Sequence, residues 1–426
     1  MTAPSSHIAP WYAAYLILGL LTSGMLPFLL PLVIADISHQ LGTVAYVTGA
    51  YNLGLLPAPL LGRLAERAHL HRPLFFGAFV VLALAFAAFP HVSSVGPWFV
   101  LALLIGLATG AAATVATLFI VDFTPRAEWG PRIGWLQSFN GAGQLVGLLL
   151  AGAFARGGFG ICFTLAAGLA LMAIVVGHFG LPQDGARRVR DQTLGHVALL
   201  PTLRAAQLGT GFGGLLHHSH HLQWAGLQVV RGALRGPFAR VLIAWAAYNF
   251  GVAAFFTYYP LMMRRSYGVA PELTAVVYAM AAGIGVVLFL LASRLTARRG
   301  GRIVFQAGIA VRLLGFVLLG LPFLVTLPHV PVIALAGFVL VVLAWPVISV
   351  AGTTLAARLT PIGEGAAIGL LSAIGALATV LGTFAGGPLV RGLGYGVLPV
   401  MALVGLGLAE FIMFRHRRRH AVPSKG

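Results

Sequence analysis

The sequence predicts an all-α polytopic membrane protein with twelve transmembrane helices arranged as two six-helix, pseudo-symmetric bundles. Three features carry that prediction: the composition, the recurrence of long apolar runs, and an internal repeat. Of 426 residues, 59% are hydrophobic and 8% charged, against about 25% charged in soluble domains. A folded chain of this kind cannot cover its surface for water. Stretches of about 20 apolar residues recur from end to end, the length at which a helix crosses a hydrocarbon core. They are apolar all round, which argues against a β-barrel, whose strands alternate polar and apolar positions.

The spans follow in order. The first, near 11–35, comes after "MTAPSSHIAP", which has no basic region, so it reads as a retained span and not a cleaved signal. The second, 44–64, carries Tyr51 and Asn52 and ends in the charged stretch "LGRLAERAHLHRP". The third and fourth, 73–90 and 96–121, lead to Asp122. The fifth, 132–154, places Gln137, Asn140 and Gln144 at i, i+3 and i+7, one stripe of a helix. The sixth, 158–181, holds the single cysteine, Cys162, so no internal disulfide forms. After residues 182–237 the seventh span, 238–261, contains "WAAYNFGVAAFFTYYP". The eighth to twelfth lie near 272–295, 303–326, 330–356, 365–388 and 393–414, with Arg312 inside the ninth and a basic tail after the last. Three domains result: an N-terminal bundle 1–181, a central loop 182–237, and a C-terminal bundle 238–426.

The net charge of +18 does not point to nucleic acid, because the arginines fall between the apolar runs and act as topology signals. One set of connections holds only Arg156, Arg264, Arg265 and Arg391, while the opposite set holds every other Lys and Arg except Arg312. That asymmetry predicts cytoplasmic termini and a cytoplasmic central loop in a cell inner membrane. Within the loop, "HHSHH" (His217 to His221) lacks the cysteine or carboxylate of a firm metal site, and residues 196–236 read as a partly amphipathic surface helix.

The halves repeat. "IGWLQSFNGAGQLVGLLLAGAFARG" from Ile133 aligns with "IGLLSAIGALATVLGTFAGGPLVRG" from Ile368 at an offset of 235 residues. "TPRAE" at 124–128 answers "TPIGE" at 360–364, and "GRLAERAHLHR" answers "SRLTARRGGR" at 293–302. Repeated halves of this kind characterise a class of secondary transporters.

Over nearly its whole length the chain therefore resembles the major facilitator superfamily, in particular its bacterial drug/proton antiporters. The family signature between the second and third helices, G-x-L-A-D-R-x-G-R-R, is matched by Gly62, Leu64, Ala65 and Arg67, with Glu66 for the Asp and Arg72 as a displaced basic residue. The resemblance implies a conformational latch of Gly62, Glu66, Arg67, Arg72 and Asp122. In it Glu66 faces the backbone N–H groups around Gly365 to Ala367, and Arg72 or Arg67 reaches Asp122. A carboxylate at a helix start is worth about 0.3–2 kcal/mol. The plainer reading is that these charges mark the cytoplasmic edge.

Cargo binding is expected near mid-membrane, where polar groups in lipid face a cavity or one another. The substrate-binding candidates are Tyr51, Asn52, Gln137, Asn140, Gln144, Trp245, Tyr248 and Asn249, with Phe256 adding apolar surface. Tyr258 and Tyr259, near the end of their span, read as interface anchors. Arg312 is the deepest charge, either functional or snorkelling towards the headgroups. Among the nine acidic residues, Asp36 is the coupling candidate, and Glu410 is read as structural.

No ATP-binding loop appears, so a gradient must provide the energy, and an embedded enzyme is not expected, because no nucleophile and base pair recurs at one membrane face. The expected activity is proton-coupled efflux of amphipathic or hydrophobic small molecules by alternating access. Uptake of a neutral solute such as a sugar is the first alternative, and a non-transporting receptor or scaffold the second. No cofactor beyond a proton gradient, no metal and no partner beyond cargo and the lipid bilayer are expected, and the protein reads as a monomer.

Overall fold

The computed structural model describes residues 8–68, 70–124, 126–155, 158–181, 236–360 and 364–414, and every regular element among them is helical. The loop with its His217 to His221 cluster and the basic tail lie outside the described residues. Twelve helices follow one another in the described part. They are α1 (Tyr12–Ser38), α2 (Leu41–Leu55, resumed after Leu56 and Pro57 as Ala58–Ala68), α3 (His71–Ala88), α4 (Val95–Phe123), α5 (Arg126–Phe154) and α6 (Phe159–Gly180). After the loop come α7 (Pro237–Ser266), α8 (Pro271–Arg299), α9 (Gly301–Gly320), α10 (Val330–Leu359), α11 (Glu364–Leu393) and α12 (Val397–Phe414).

Ten of these are long and apolar enough to cross a membrane. The other two are α12, which is short, and α5, whose amides and glycines lower its mean hydropathy. Prolines open α7 and α8, where a missing N–H costs nothing. Gly300, at φ +85°, turns the chain between α8 and α9 in a conformation that L side chains resist.

The described residues group into two compact units: residues 8–181 with 260–283, and 236–259 with 284–414. The division along α7 falls at Pro260, inside the helix, where one main-chain hydrogen bond is missing.

Within the first unit the helices approach through glycine. A Cβ added at Gly143 would stand 2.0 Å from the Leu16 carbonyl oxygen, and one at Gly147 2.2 Å from that of Leu20. From the other side, a Cβ added at Gly19 of α1 would stand 2.3 Å from the Asn140 carbonyl oxygen, and one at Gly24 2.5 Å from that of Gln144. Gly54 and Gly106 bring α2 and α4 together in the same way. In the second unit a Cβ added at Gly382 of α11 would stand 2.3 Å from the Phe250 carbonyl oxygen of α7, and one at Gly405 of α12 2.5 Å from that of Ala247. The repeat thus acquires a reason, because Gly147 and Gly382, 235 residues apart, each admit a neighbouring backbone. Small residues serve this purpose in membranes, where lipid tails remove the hydrophobic drive between helices.

α1 is not uniformly α-helical: Gly19–Met25 forms a π segment. Thr22 Oγ1 donates to the Leu18 carbonyl at 2.8 Å just inside it, and Gly19 and Gly24, two glycines against α5, lie in it. Such wide turns tend to mark functional positions.

Gly143→Ala should force α1 from α5 and lower thermal stability by about 1–3 kcal/mol, the usual range for overpacking. Gly160→Ala, where nothing lies within 4 Å of the added carbon, should leave it unchanged. Thermal unfolding of both purified variants checks the pair.

Candidate functional site

In the first unit the polar stripe of α5 faces α1. Gln137 Nε2 lies 3.4 Å from the Tyr15 hydroxyl of α1, a long hydrogen bond that engages this amide between helices. Asn140 and Gln144 are half-buried, as are Tyr51 and Asn52 on α2. The stripe is therefore divided: its first member bonds a neighbouring helix, and the next two hold partly accessible side chains at the level of the π segment.

The expected latch is described in part. Gly62 is buried, and an added Cβ would meet Thr114 Cγ2 at 2.7 Å, so glycine is needed where α2 crosses α4. The side chains of Glu66, Arg67 and Asp122 lie outside the described residues. Arg72 Nη2 donates to the His178 carbonyl at 3.3 Å, and its guanidinium lies 5.8 Å from the centre of the Phe76 ring. That carbonyl belongs to the last turn of α6, whose partial negative charge suits a cation.

Asp36 lies in the last turn of α1 and pairs with Arg264, in the last turn of α7. The contact is bidentate: Arg264 Nη1 donates to Asp36 Oδ2 at 3.0 Å, and Nη2 donates to Oδ1. Two parallel charge-assisted bonds fix geometry better than one. Both side chains keep about a third of their surface exposed (29% for Arg264 and 33% for Asp36), so solvent limits what the pair adds to stability. The sequence carried a signal for Arg264, as one of four basic residues on the arginine-poor side, but nothing in the order of residues joined positions 36 and 264.

In the second unit the aromatic candidates of α7 form a stack. The Trp245 and Tyr248 rings lie 5.5 Å apart at 27°, and Tyr248 and Trp345 of α10 lie 6.2 Å apart at 10°. Trp245 is wedged between small residues: a Cβ at Gly375 would come within 2.6 Å of its Nε1, and one at Gly352 within 2.8 Å of its ring edge. Asn249 Nδ2 donates to the Trp245 carbonyl at 2.8 Å. Trp245 and Tyr248 are buried, while Asn249, Phe256 and Trp345 are half-buried.

Arg312 of α9 completes this cluster. It is 2% exposed, its Nη1 donates to the Tyr248 hydroxyl, and its guanidinium lies 5.2, 5.3 and 5.9 Å from the centres of the Tyr248, Phe256 and Trp345 rings. Ring faces carry negative potential and stabilise a desolvated cation by up to about 2 kcal/mol. The snorkelling alternative is overturned, because Arg312 turns into the helix cluster and gains its contacts there. Trp345 went unrecognised in the sequence. The available clue was a Trp beside Pro346 within a span, away from the interfaces where Trp concentrates.

Two other expectations meet a clear outcome. Tyr258 and Tyr259 are not interface anchors: both are at most 1% exposed, Tyr259 stacks on Phe338 at 5.2 Å, and Tyr258 meets Tyr395 edge to face. Glu410 has the structural setting expected of it, accepting from Gln306 Nε2 at 2.8 Å and so tying α12 to α9.

Comparison with known proteins agrees with this architecture. The family model of the Major Facilitator Superfamily matches residues 12–361. The solved structures similar to this chain include the nucleoside transporter NupG, at a TM-score of 0.72 and 12% identity, with 97% of this chain and 98% of that one covered. A D-xylose-proton symporter aligns at 0.68 and 14% identity, covering 95% of each chain. An auto-inhibited peptide transporter of the POT family aligns at 0.67 and 15%, covering 98% of each. At these identities the likeness is one of fold. No curated protein matches the sequence.

Tyr248→Phe removes the acceptor for Arg312 while keeping the stacked ring. A hydrogen bond to a charged group in a buried site should make this cost about 1–3 kcal/mol, read as a lower melting temperature of the purified protein. Asp36→Asn, at a solvent-screened pair, should cost less than about 1 kcal/mol by the same measurement.

Proposed function

The chain belongs to the Major Facilitator Superfamily, and from that premise we propose that it exports amphipathic or hydrophobic small molecules in exchange for protons, by alternating access. The observation that carries this reading is the aromatic cluster of α7 and α10, in which the half-buried rings of Trp345 and Phe256 offer apolar area backed by the buried rings of Trp245 and Tyr248. Ligand pockets combine apolar surface with a small number of placed hydrogen-bonding groups in this way. Asn249, in the same unit, supplies one such group. Hydrolysis of a nucleotide is not required, since an ion gradient provides the energy.

Proton coupling needs a group whose charge changes during the cycle. Asp36 fills that role in this reading. Protonating its carboxylate removes the charge that holds Arg264, so the contact between the ends of α1 and α7 weakens as the proton arrives and re-forms as it leaves. The cell inner membrane, with the arginine-rich connections and both termini in the cytoplasm, is the setting proposed for this exchange.

Uptake of a neutral solute is the second reading. The amides of the α5 stripe favour it, and the symporter for D-xylose among the similar folds shows that the architecture can serve proton symport in another protein.

Inside-out vesicles energised to acidify their lumen distinguish the two, with a pH-sensitive dye as readout. Antiport predicts that adding cargo dissipates the gradient, absent from vesicles lacking the protein. Symport predicts instead that solute added to de-energised right-side-out vesicles makes the external medium more alkaline. In Asp36→Asn and in Arg264→Gln, gradient-driven flux should fall at least tenfold while cargo exchange without a gradient persists. Normal driven flux in both variants would remove the pair from coupling.

A further inference from the structure

We infer that Arg312 sets the charge class of the cargo, favouring aromatic compounds that are anionic over neutral ones and disfavouring cations. The inference rests on the reading that the Trp245, Tyr248 and Asn249 region meets the cargo.

An aromatic wall alone would favour cations, because ring faces attract positive charge. Here that attraction is already spent. The guanidinium of Arg312 lies within 5.9 Å of the centres of the Tyr248, Phe256 and Trp345 rings, so a cationic ligand would meet ring faces committed to another cation and a like charge behind them. The surrounding unit adds little negative charge. Glu364 and Glu410 are the only acidic residues in its two segments of sequence. Glu364 is at the start of α11, and Glu410 accepts from Gln306 near the end of α12.

The hydroxyl of Tyr248 points the same way. Because it accepts from Arg312, its own proton is left to donate, and bonding to a cation strengthens it as a donor. A carboxylate or carbonyl oxygen is the natural partner for such a group, and an ammonium is not. Trp345 and Phe256 are half-buried, so they are the rings of the cluster with surface left for a ligand, and the Arg312 guanidinium lies 5.9 and 5.3 Å from their centres.

The expected size of the effect follows from Coulomb's law. A ligand charge stacked beyond the Trp345 ring would lie about 10 Å from the guanidinium, and at an effective dielectric of about 20 this changes affinity roughly tenfold or slightly more for each sign of charge.

Three probes with one ring system test this: 2-naphthoate, 2-naphthol and 2-naphthyltrimethylammonium, titrated against the purified full-length protein in lipid nanodiscs with intrinsic tryptophan fluorescence as readout. The wild type should bind naphthoate at least tenfold more tightly than the trimethylammonium compound, with naphthol between them. Arg312→Gln should bring the three affinities within about threefold of one another, whereas Arg312→Lys, which keeps the charge, should preserve the order. Equal or tighter binding of the cation by the wild type overturns the inference without any variant, as does an unchanged order in a folded Arg312→Gln protein. Asn249→Ala tests the underlying reading separately. If none of the probes binds, or if Asn249→Ala alters none of the affinities, the cargo-site reading fails and the inference with it; if Asn249→Ala weakens binding but charge makes no difference, the inference fails alone.

Discussion

Close backbone contact through glycine is the constraint from which the rest of this architecture follows. In a bilayer, two apolar helices gain nothing by leaving lipid for each other, so association depends on van der Waals fit and on hydrogen bonds. The pairs α1 with α5 and α7 with α11 reach that fit with glycines whose added Cβ would overlap a neighbouring carbonyl. The contact in turn fixes what else these helices can present. Asn140 and Gln144, on the same side of α5 as Gly143 and Gly147, keep half-buried side chains at that level. The π segment of α1 lies against that stretch, joining an irregular backbone to the most polar part of the unit.

Charge is used sparingly, and three described instances show how it is held. Arg312 donates to Tyr248 and lies near three rings; Asp36 is held by both terminal guanidinium nitrogens of Arg264; Arg72 reaches the final turn of α6. The settings differ, and so do their consequences. A cation enclosed by rings resists removal, because its alternative is hydrocarbon. A pair with a third of its surface in solvent can exchange its partner for water at little cost. The first suits a fixed feature of a binding surface, and the second suits a contact that opens and closes within a transport cycle.

The site was partly legible because polar residues inside apolar runs stand out, whatever their partners. Gln137, Asn140 and Gln144 announced a stripe, and Tyr248 and Asn249 an exception within the seventh span. What could not be read was the distribution of roles along them. Gln137 meets Tyr15, 122 residues away, and the bond between Arg312 and Tyr248 spans 64 residues. Tyr258 and Tyr259 illustrate the opposite error. Their position near the end of a span suggested an interface, but packing against Phe338 and Tyr395 buries them, and only the neighbouring helices decide that.

The sequence by itself determined the class of the protein: helical because a backbone in lipid must satisfy its own hydrogen bonds, twelve-fold because the apolar runs recur at spanning length, and twofold because glycines and basic clusters repeat in the same order at nearly the same offset. These properties are local or periodic, so they survive as patterns along the chain. Tertiary structure alone decided which polar groups meet, that Arg312 turns inward to a ring cluster and not outward to headgroups, and that Asp36 finds Arg264. Those outcomes depend on how helices distant in sequence approach one another, and a linear pattern holds no distance between residues so far apart along the chain.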